Sequence, residues 1–131
     1  MDFEKQIKED RESLIHDIMK LVSIDSVEDT PEAGMPFGAG AAKALDCFLE
    51  MAESIGLKTE NFDHYAGHAD YGNQEETLGI LGHVDVVPCS GSWICAPFKP
   101  EIIDGKLYGR GVLDDKGPLL ACLHAVKILK E

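Results

Sequence analysis

The sequence predicts an α/β fold, the N-terminal part of a sheet flanked by helices and incomplete within these residues. Three observations lead there. Apolar residues recur at helical spacing at both ends of the chain, a nearly continuous aliphatic run occupies the middle, and an Asp-Gly turn lies between that run and the last helical stripe.

Residues 3 to about 24 place Phe3, Ile7, Leu14, Ile15, Ile18, Met19 and Val22 on one stripe, with acids and lysines opposite, which predicts an amphipathic helix. Residues 25–40 hold two prolines, several glycines and several acids and read as a long loop, a class that is usually functional or mobile. A second helix is expected from Gly40 to Ile55, with Leu45, Phe48, Leu49 and Ala52 on one face and Gly56 as the C′ stop. Lys58 to Tyr71 reads as an irregular strand region. Thr77 to Val87 is rich in aliphatic residues and matches a strand buried on both faces, ended by Pro88. Glu101 to Tyr108 reads as a hairpin, because Asp104-Gly105 suits the positive φ angles of a type I′ turn. Gly117-Pro118 opens the last helix, with proline at the first helical position. That helix reaches Leu129-Lys130-Glu131 with no glycine or proline stop, so the chain is expected to be the beginning of something longer.

At 131 residues the chain is one domain's worth of sequence, taken as residues 1–131, and 44% hydrophobic with 27% charged residues is globular composition. No apolar run is long enough to span a bilayer, and the acids of Met1-Asp2-Phe3-Glu4 do not fit a secretory n-region. Twenty-four acids against 12 bases give a net charge of −12, which repels phosphate backbones and excludes nucleic acid as a partner. Cys47, Cys89, Cys95 and Cys122 form no Cys-x-x-Cys pair and read as reduced thiols of a cytoplasmic protein.

Two motifs can carry chemistry. In Gly82-His83-Val84-Asp85-Val86-Val87-Pro88, residues two apart on a strand share a face, so His83 and Asp85 should emerge side by side at the strand's carboxyl end. An imidazole beside a carboxylate suits a metal ligand with its orienting partner, and equally a structural pair. In Gly109-Arg110-Gly111-Val112-Leu113-Asp114-Asp115-Lys116-Gly117, two adjacent acids precede a helix, where the helix dipole favours negative charge with or without a ligand. The two motifs together are much harder to obtain by accident than either alone.

Together they resemble the signature of the M20 family of dizinc metallopeptidases. Trp93, Pro97-Phe98 and the Asp104-Gly105 hairpin stand where that family has similar residues, and residues 41–45 and 65–68 are similar to the PepV-type, Xaa-His or carnosine-type dipeptidases. The resemblance implies a zinc-peptidase-like sheet, of which this chain is roughly the first third. It further implies His83 as a zinc ligand, Asp114 as the carboxylate bridging two Zn2+ ions, and Asp85 as the catalytic-site group that orients His83. A cis peptide between Asp114 and Asp115 is also implied. The implied activity is hydrolysis of dipeptides or other short peptides by metal-activated water. The family's Glu-Glu pair, a further acidic ligand and its last histidine have no counterpart in this chain, so these residues alone are expected to be inactive, with one zinc or none.

Two other readings share every motif present: an M20-type amide deacylase or aminoacylase, and a noncatalytic truncated module that self-associates through exposed apolar surface. The remaining candidates read as structural. His64 and His68 share a face if their region is extended, but lack a supporting acid or cysteine. His124 should be packed in the last helix, and His16 lies on the polar side of the first. Gly38-x-Gly40 and Gly109-x-Gly111 lack the third glycine of a dinucleotide fingerprint, so no nucleotide cofactor is expected.

Overall fold

The computed structural model describes residues 2–130. Three helices and two two-stranded antiparallel sheets follow in the order α1 (Phe3–Val22), α2 (Ala39–Ser54), β1 (Lys58–Phe62), β2 (Ala66–Asp70), β3 (Glu101–Ile103), β4 (Lys106–Tyr108) and α3 (Lys116–Lys130).

Helix α1 starts where the Asp2 carboxylate accepts from the Lys5 N–H, and it buries Leu21 and Val22 at its last turn. Helix α2 is the most apolar surface of the α1–α2 half and buries Ala44, Cys47, Met51 and Ala52; burial pushes the Cys47 thiol up. Gly56 follows its C-cap with φ +79°, the predicted stop. Gly40 has a packing reason: a Cβ there would lie 2.0 Å from the Asp25 carbonyl, so only glycine lets α2 approach the loop after α1. Leu21, Ala44, Ala52 and Leu120 meet with no exposed surface and tie the three helices into one core. All four cysteines are free.

Polar groups also join α1 to α3. His124, 4% exposed, has Asp10 at Nδ1 and Asp17 at Nε2, 2.5 and 3.0 Å away, while Lys127 donates to Asp10 at 2.6 Å. Burial alone would raise the Asp10 pKa, but hydrogen bonds from Lys127 and His124 outweigh it and hold the carboxyl below its usual value.

Several expectations are corrected. The region 58–71 is a regular hairpin, in register from Lys58↔Asp70 to Phe62↔Ala66. Helix α3 begins at Lys116 rather than Gly117, so Pro118 is its third residue, where a missing N–H still leaves no intrahelical bond unmade. Most consequential, Thr77–Val87 forms no strand. Its one ladder contact is a parallel bridge between Val27 and Val86, and Leu78 and Leu81 are 88% and 100% exposed. A buried strand needs neighbours on both edges and layers on both faces, and among the described residues none is placed to supply them. The chain accordingly exposes 8685 Å², against about 6,800 Å² for a compact monomer of its mass. The second hairpin is as expected, with Asp104 and Gly105 at φ +49° and +74° joining β3 to β4. No helix among the described residues is long and apolar enough to cross a membrane.

Candidate metal centre

His83 and Asp85 lie on the extended segment 82–87 even though no sheet forms there. Two contacts from the loop after α1 hold that segment: the Ser26 hydroxyl donates to the Val84 carbonyl at 2.7 Å, and the Val86 N–H donates to the Ser26 carbonyl at 3.2 Å. The alternation of an extended chain therefore survives locally. Val84 and Val86 turn toward the core, and His83 and Asp85 turn outward, 47% and 62% exposed at their side chains.

Asp114 and Asp115 immediately precede α3, joined by a cis peptide bond. They divide the work. Asp115 faces inward to the first segment, its Oδ2 accepting from the His83 N–H at 3.2 Å and its carbonyl accepting from the Leu119 N–H at 2.9 Å. Asp114 faces outward, with Oδ1 3.1 Å from His83 Nε2. The other ring nitrogen, Nδ1, lies 3.0 Å from the Asp85 backbone carbonyl and 3.3 Å from its carboxylate. Asp85 thus holds His83 mainly through its main chain, with the carboxylate beside it. Burial opposes charge on the ring, but the Asp85 carbonyl and carboxylate and the Asp114 hydrogen bond prevail, and the His83 pKa is raised.

The donor chemistry suits part of a zinc site. With Nδ1–H donating to Asp85, Nε2 faces Asp114 and would present its lone pair to a metal ion bound between them in place of a proton, as in a zinc-ligating histidine with its orienting partner. At zinc bond lengths of about 2.0–2.2 Å, two tetrahedral ligands stand about 3.4 Å apart, near the observed 3.1 Å separation. A catalytic zinc takes at least three protein ligands, and no group of three or more His, Cys, Asp or Glu residues is placed to hold a metal among the described residues.

Gly82 makes this closeness feasible. A Cβ at that position would sit 2.8 Å from Asp115 Oδ2 and 2.8 Å from Leu119 Cδ1. Gly82→Ala is expected to push Asp115 off the His83 amide and to cost about 1–3 kcal/mol by overpacking. Thermal unfolding together with amide exchange at His83 checks this; an unchanged His83 amide would show that Asp115 has room to move.

The other sequence candidates fall elsewhere. His64 is in the β1–β2 turn at φ +57°, not on a strand face with His68. Its Nδ1 faces the Gly34 carbonyl at 2.8 Å and its Nε2 faces Asp46 at 2.9 Å, and these acceptors raise its pKa while fastening the 23–38 loop to α2. His68 lies between Glu60 and Asp70, and His16 is exposed beside Asp17. Arg110 stacks 4.7 Å over Trp93 and donates to the Pro88 carbonyl, closing the turn that follows the His83 segment. Three residues support the site in ways the sequence reading did not assign: Ser26, and Arg110 and Lys116, which it held only as members of the Gly109–Gly117 motif. Ser26 carries no sequence signal. Lys116 carries one, since it lies four and seven residues before the buried Leu120 and Leu123 and so on the buried face of α3.

Comparison with known proteins agrees with these motifs. Residues 79–131 match the sequence profile of peptidase family M20/M25/M40. The chain is 41% identical over 133 residues to the YtjP protein of Bacillus subtilis (strain 168), which carries a provisional dipeptidase name; the alignment takes in all of this chain and 29% of that protein. It is 40% identical over 134 residues to the Beta-Ala-Xaa dipeptidase of Lactobacillus delbrueckii subsp. lactis, again over all of this chain and 28% of the relative. Human carnosine dipeptidase 1 superposes with a TM-score of 0.73 at 24% identity, over 94% of this chain and 29% of that one, which shows a shared fold. Dug1p, a dipeptidase of Saccharomyces cerevisiae, gives a TM-score of 0.73 at 22% identity, over 96% of this chain and 30% of that one. This chain thus spans less than a third of each of these proteins. The stretch that carries His83, Asp85, Asp114 and Asp115 matches the profile of peptidase family M20/M25/M40, and the chain as a whole is similar in sequence to proteins named as dipeptidases and shares the fold of two of them.

Proposed function

We propose that residues 1–131 are the N-terminal part of the catalytic domain of a zinc-dependent dipeptidase, in which His83 and Asp114 are metal ligands and Asp85 orients His83. The observation that carries this reading is the facing pair His83 Nε2 and Asp114 Oδ1, 3.1 Å apart, with the opposite ring nitrogen held by Asp85. Dipeptides are the substrate class because the relatives named for an activity are dipeptidases. A cytoplasmic location accords with four free cysteines.

In this reading His83 supplies a neutral nitrogen donor, and Asp85 fixes its tautomer through the Nδ1 contact. Asp114 supplies a carboxylate whose second oxygen remains available to a second metal ion. Asp115 accepts from the His83 N–H and would hold the backbone of that ligand in place. Zinc bound there would activate a water and polarise the scissile carbonyl. The remaining ligands and a general base must come from residues outside these 131.

The isolated chain is therefore expected to show no chelator-sensitive dipeptide hydrolysis, whereas the longer protein containing it should. Assaying both against dipeptides and N-acyl amino acids tests the reading. Metal-dependent turnover by the 131 residues alone would overturn the partial-site assignment, and a preference of the longer protein for N-acyl substrates would make it a deacylase. The uncovered aliphatic run also favours self-association of the isolated chain, and a strictly monomeric result by light scattering would exclude that.

A further inference from the structure

Lys116 stands out among the side chains outside the metal chemistry. Among the described residues it is the largest side chain with no exposed surface, and its amine bonds a backbone carbonyl, that of Ile24. Burial pushes its pKa down to about 8 despite the fields of Asp25, Cys47 and Asp85. A core position that merely needed filling would take Met or Leu at less cost.

Its path through the protein explains the lysine. The stem leaves the first residue of α3, directly after Asp114-Asp115, and runs beside Gly111. A Cβ on Gly111 would meet Lys116 Cδ and Val86 Cγ1 at 3.0 Å each, so both side chains close in on that glycine. The amine then donates to the Ile24 carbonyl at 2.8 Å. Two residues on, Ser26 holds Val84 and Val86. The side chain therefore packs on Gly111 of its own segment and bonds the loop after α1, and that loop holds Val84 and Val86 of the His83 segment.

We propose that Lys116 is a positioning residue, which fixes Asp114 against His83 by packing its stem on Gly111 and anchoring its amine at Ile24, in the loop that holds Val84 and Val86. The proposal rests on the reading of His83 and Asp114 as metal ligands for its functional meaning, but its physical core, the registration of two segments, is testable without metal. An apolar replacement would fill the same space and leave the Ile24 carbonyl without its donor. The two acids would then be free to shift relative to the imidazole.

The test compares the 131-residue chain with its Lys116→Met and Lys116→Gln variants by amide hydrogen exchange, by the ring 15N signals of His83 and by Zn2+ titration, with His83→Ala as a control. The Val86 and Gly117 amides, bonded to Ser26 and Gly111, should lose at least tenfold more protection than amides within α2. The His83 ring signals should shift, and any Zn2+ affinity that depends on His83 should fall about 10–100-fold, as for other groups that orient ligands. Uniform loss of protection across the chain, or unchanged Val86, Gly117 and His83 signals, would reduce Lys116 to a stability role and overturn the proposal. Local loss of protection in a chain whose Zn2+ binding ignores His83 would uphold the positioning role and sink the metal assignment instead. If neither variant folds, the unmodified chain decides: slowly exchanging Lys116 Nζ protons that correlate with the Ile24 carbonyl support the anchor, and rapid exchange rejects it.

Discussion

If residues 1–131 belong to a zinc dipeptidase as proposed, His83→Ala is expected to lower kcat/KM for dipeptide hydrolysis by a protein that contains them by about 10³-fold or more. Loss of a ligand removes several kcal/mol of metal-based stabilisation, at 1.36 kcal/mol per tenfold. Asp85→Asn should be far milder. His83 Nδ1 is bonded at 3.0 Å to the Asp85 main-chain carbonyl, which the substitution leaves in place, and the carboxylate is the more distant partner at 3.3 Å. The tautomer therefore stays fixed, and only the basicity contributed by the carboxylate is lost. About tenfold is expected, the low end of the range for groups behind metal ligands. Steady-state kinetics at saturating zinc separate the two variants. Equal losses would mean that the Asp85 carboxylate acts on substrate or metal directly.

The largest effect on stability is expected at the seam between α1 and α3. Asp10→Ala should cost about 2–3 kcal/mol, because it removes the acceptor that the buried His124 ring and the half-buried Lys127 ammonium share. For a chain of this length that corresponds to roughly 6–15 °C in Tm. The contribution depends on pH with a definite sign. The Asp10 pKa is lower in the folded protein than its usual 3.8, so the stabilisation is complete above that value and is lost as pH falls through the folded-state pKa. Asp10→Asn should remove this part of the acid-unfolding limb, which urea titrations between pH 2 and 6 would show. Parallel acid limbs in wild type and variant would place the acid sensitivity elsewhere. His124 also explains why the stripe of α3 contains a histidine at all: its nitrogens answer Asp10 and Asp17 from the polar side of α1, so two amphipathic faces meet through charge as well as through Leu21 and Leu120.

The parts of this fold that were legible in the sequence are those set by local chemistry. Periodic apolar residues placed α1 and α2 within two residues of their observed ends, and Gly56 and Asp104-Gly105 marked a helix stop and a hairpin because each needs a positive φ. The alternation in Gly82–Pro88 set His83 and Asp85 on one side, and their pairing with Asp114 and Asp115 was visible as two motifs. The buried strand at 77–87 was not decided by local chemistry. Aliphatic composition states what a segment can bury, but ladder partners and covering layers come from other parts of a chain, and here a single bridge to Val27 is present.

Tertiary structure placed the two adjacent acids. By residue type and spacing Asp114 and Asp115 are equivalent, and only the family resemblance singled out Asp114; in space one faces the imidazole and the other holds the imidazole's own backbone. It also decided that Asp85 holds His83 chiefly by its carbonyl, and that Lys116, an exposed residue by composition, is buried beneath the site. The physical reason is common to these cases. Residue type and spacing fix what a side chain can donate or accept and which face of its own element it occupies, whereas its partner is chosen by contacts made across 30 to 90 residues of sequence, as between His83 and Asp114 or Ile24 and Lys116.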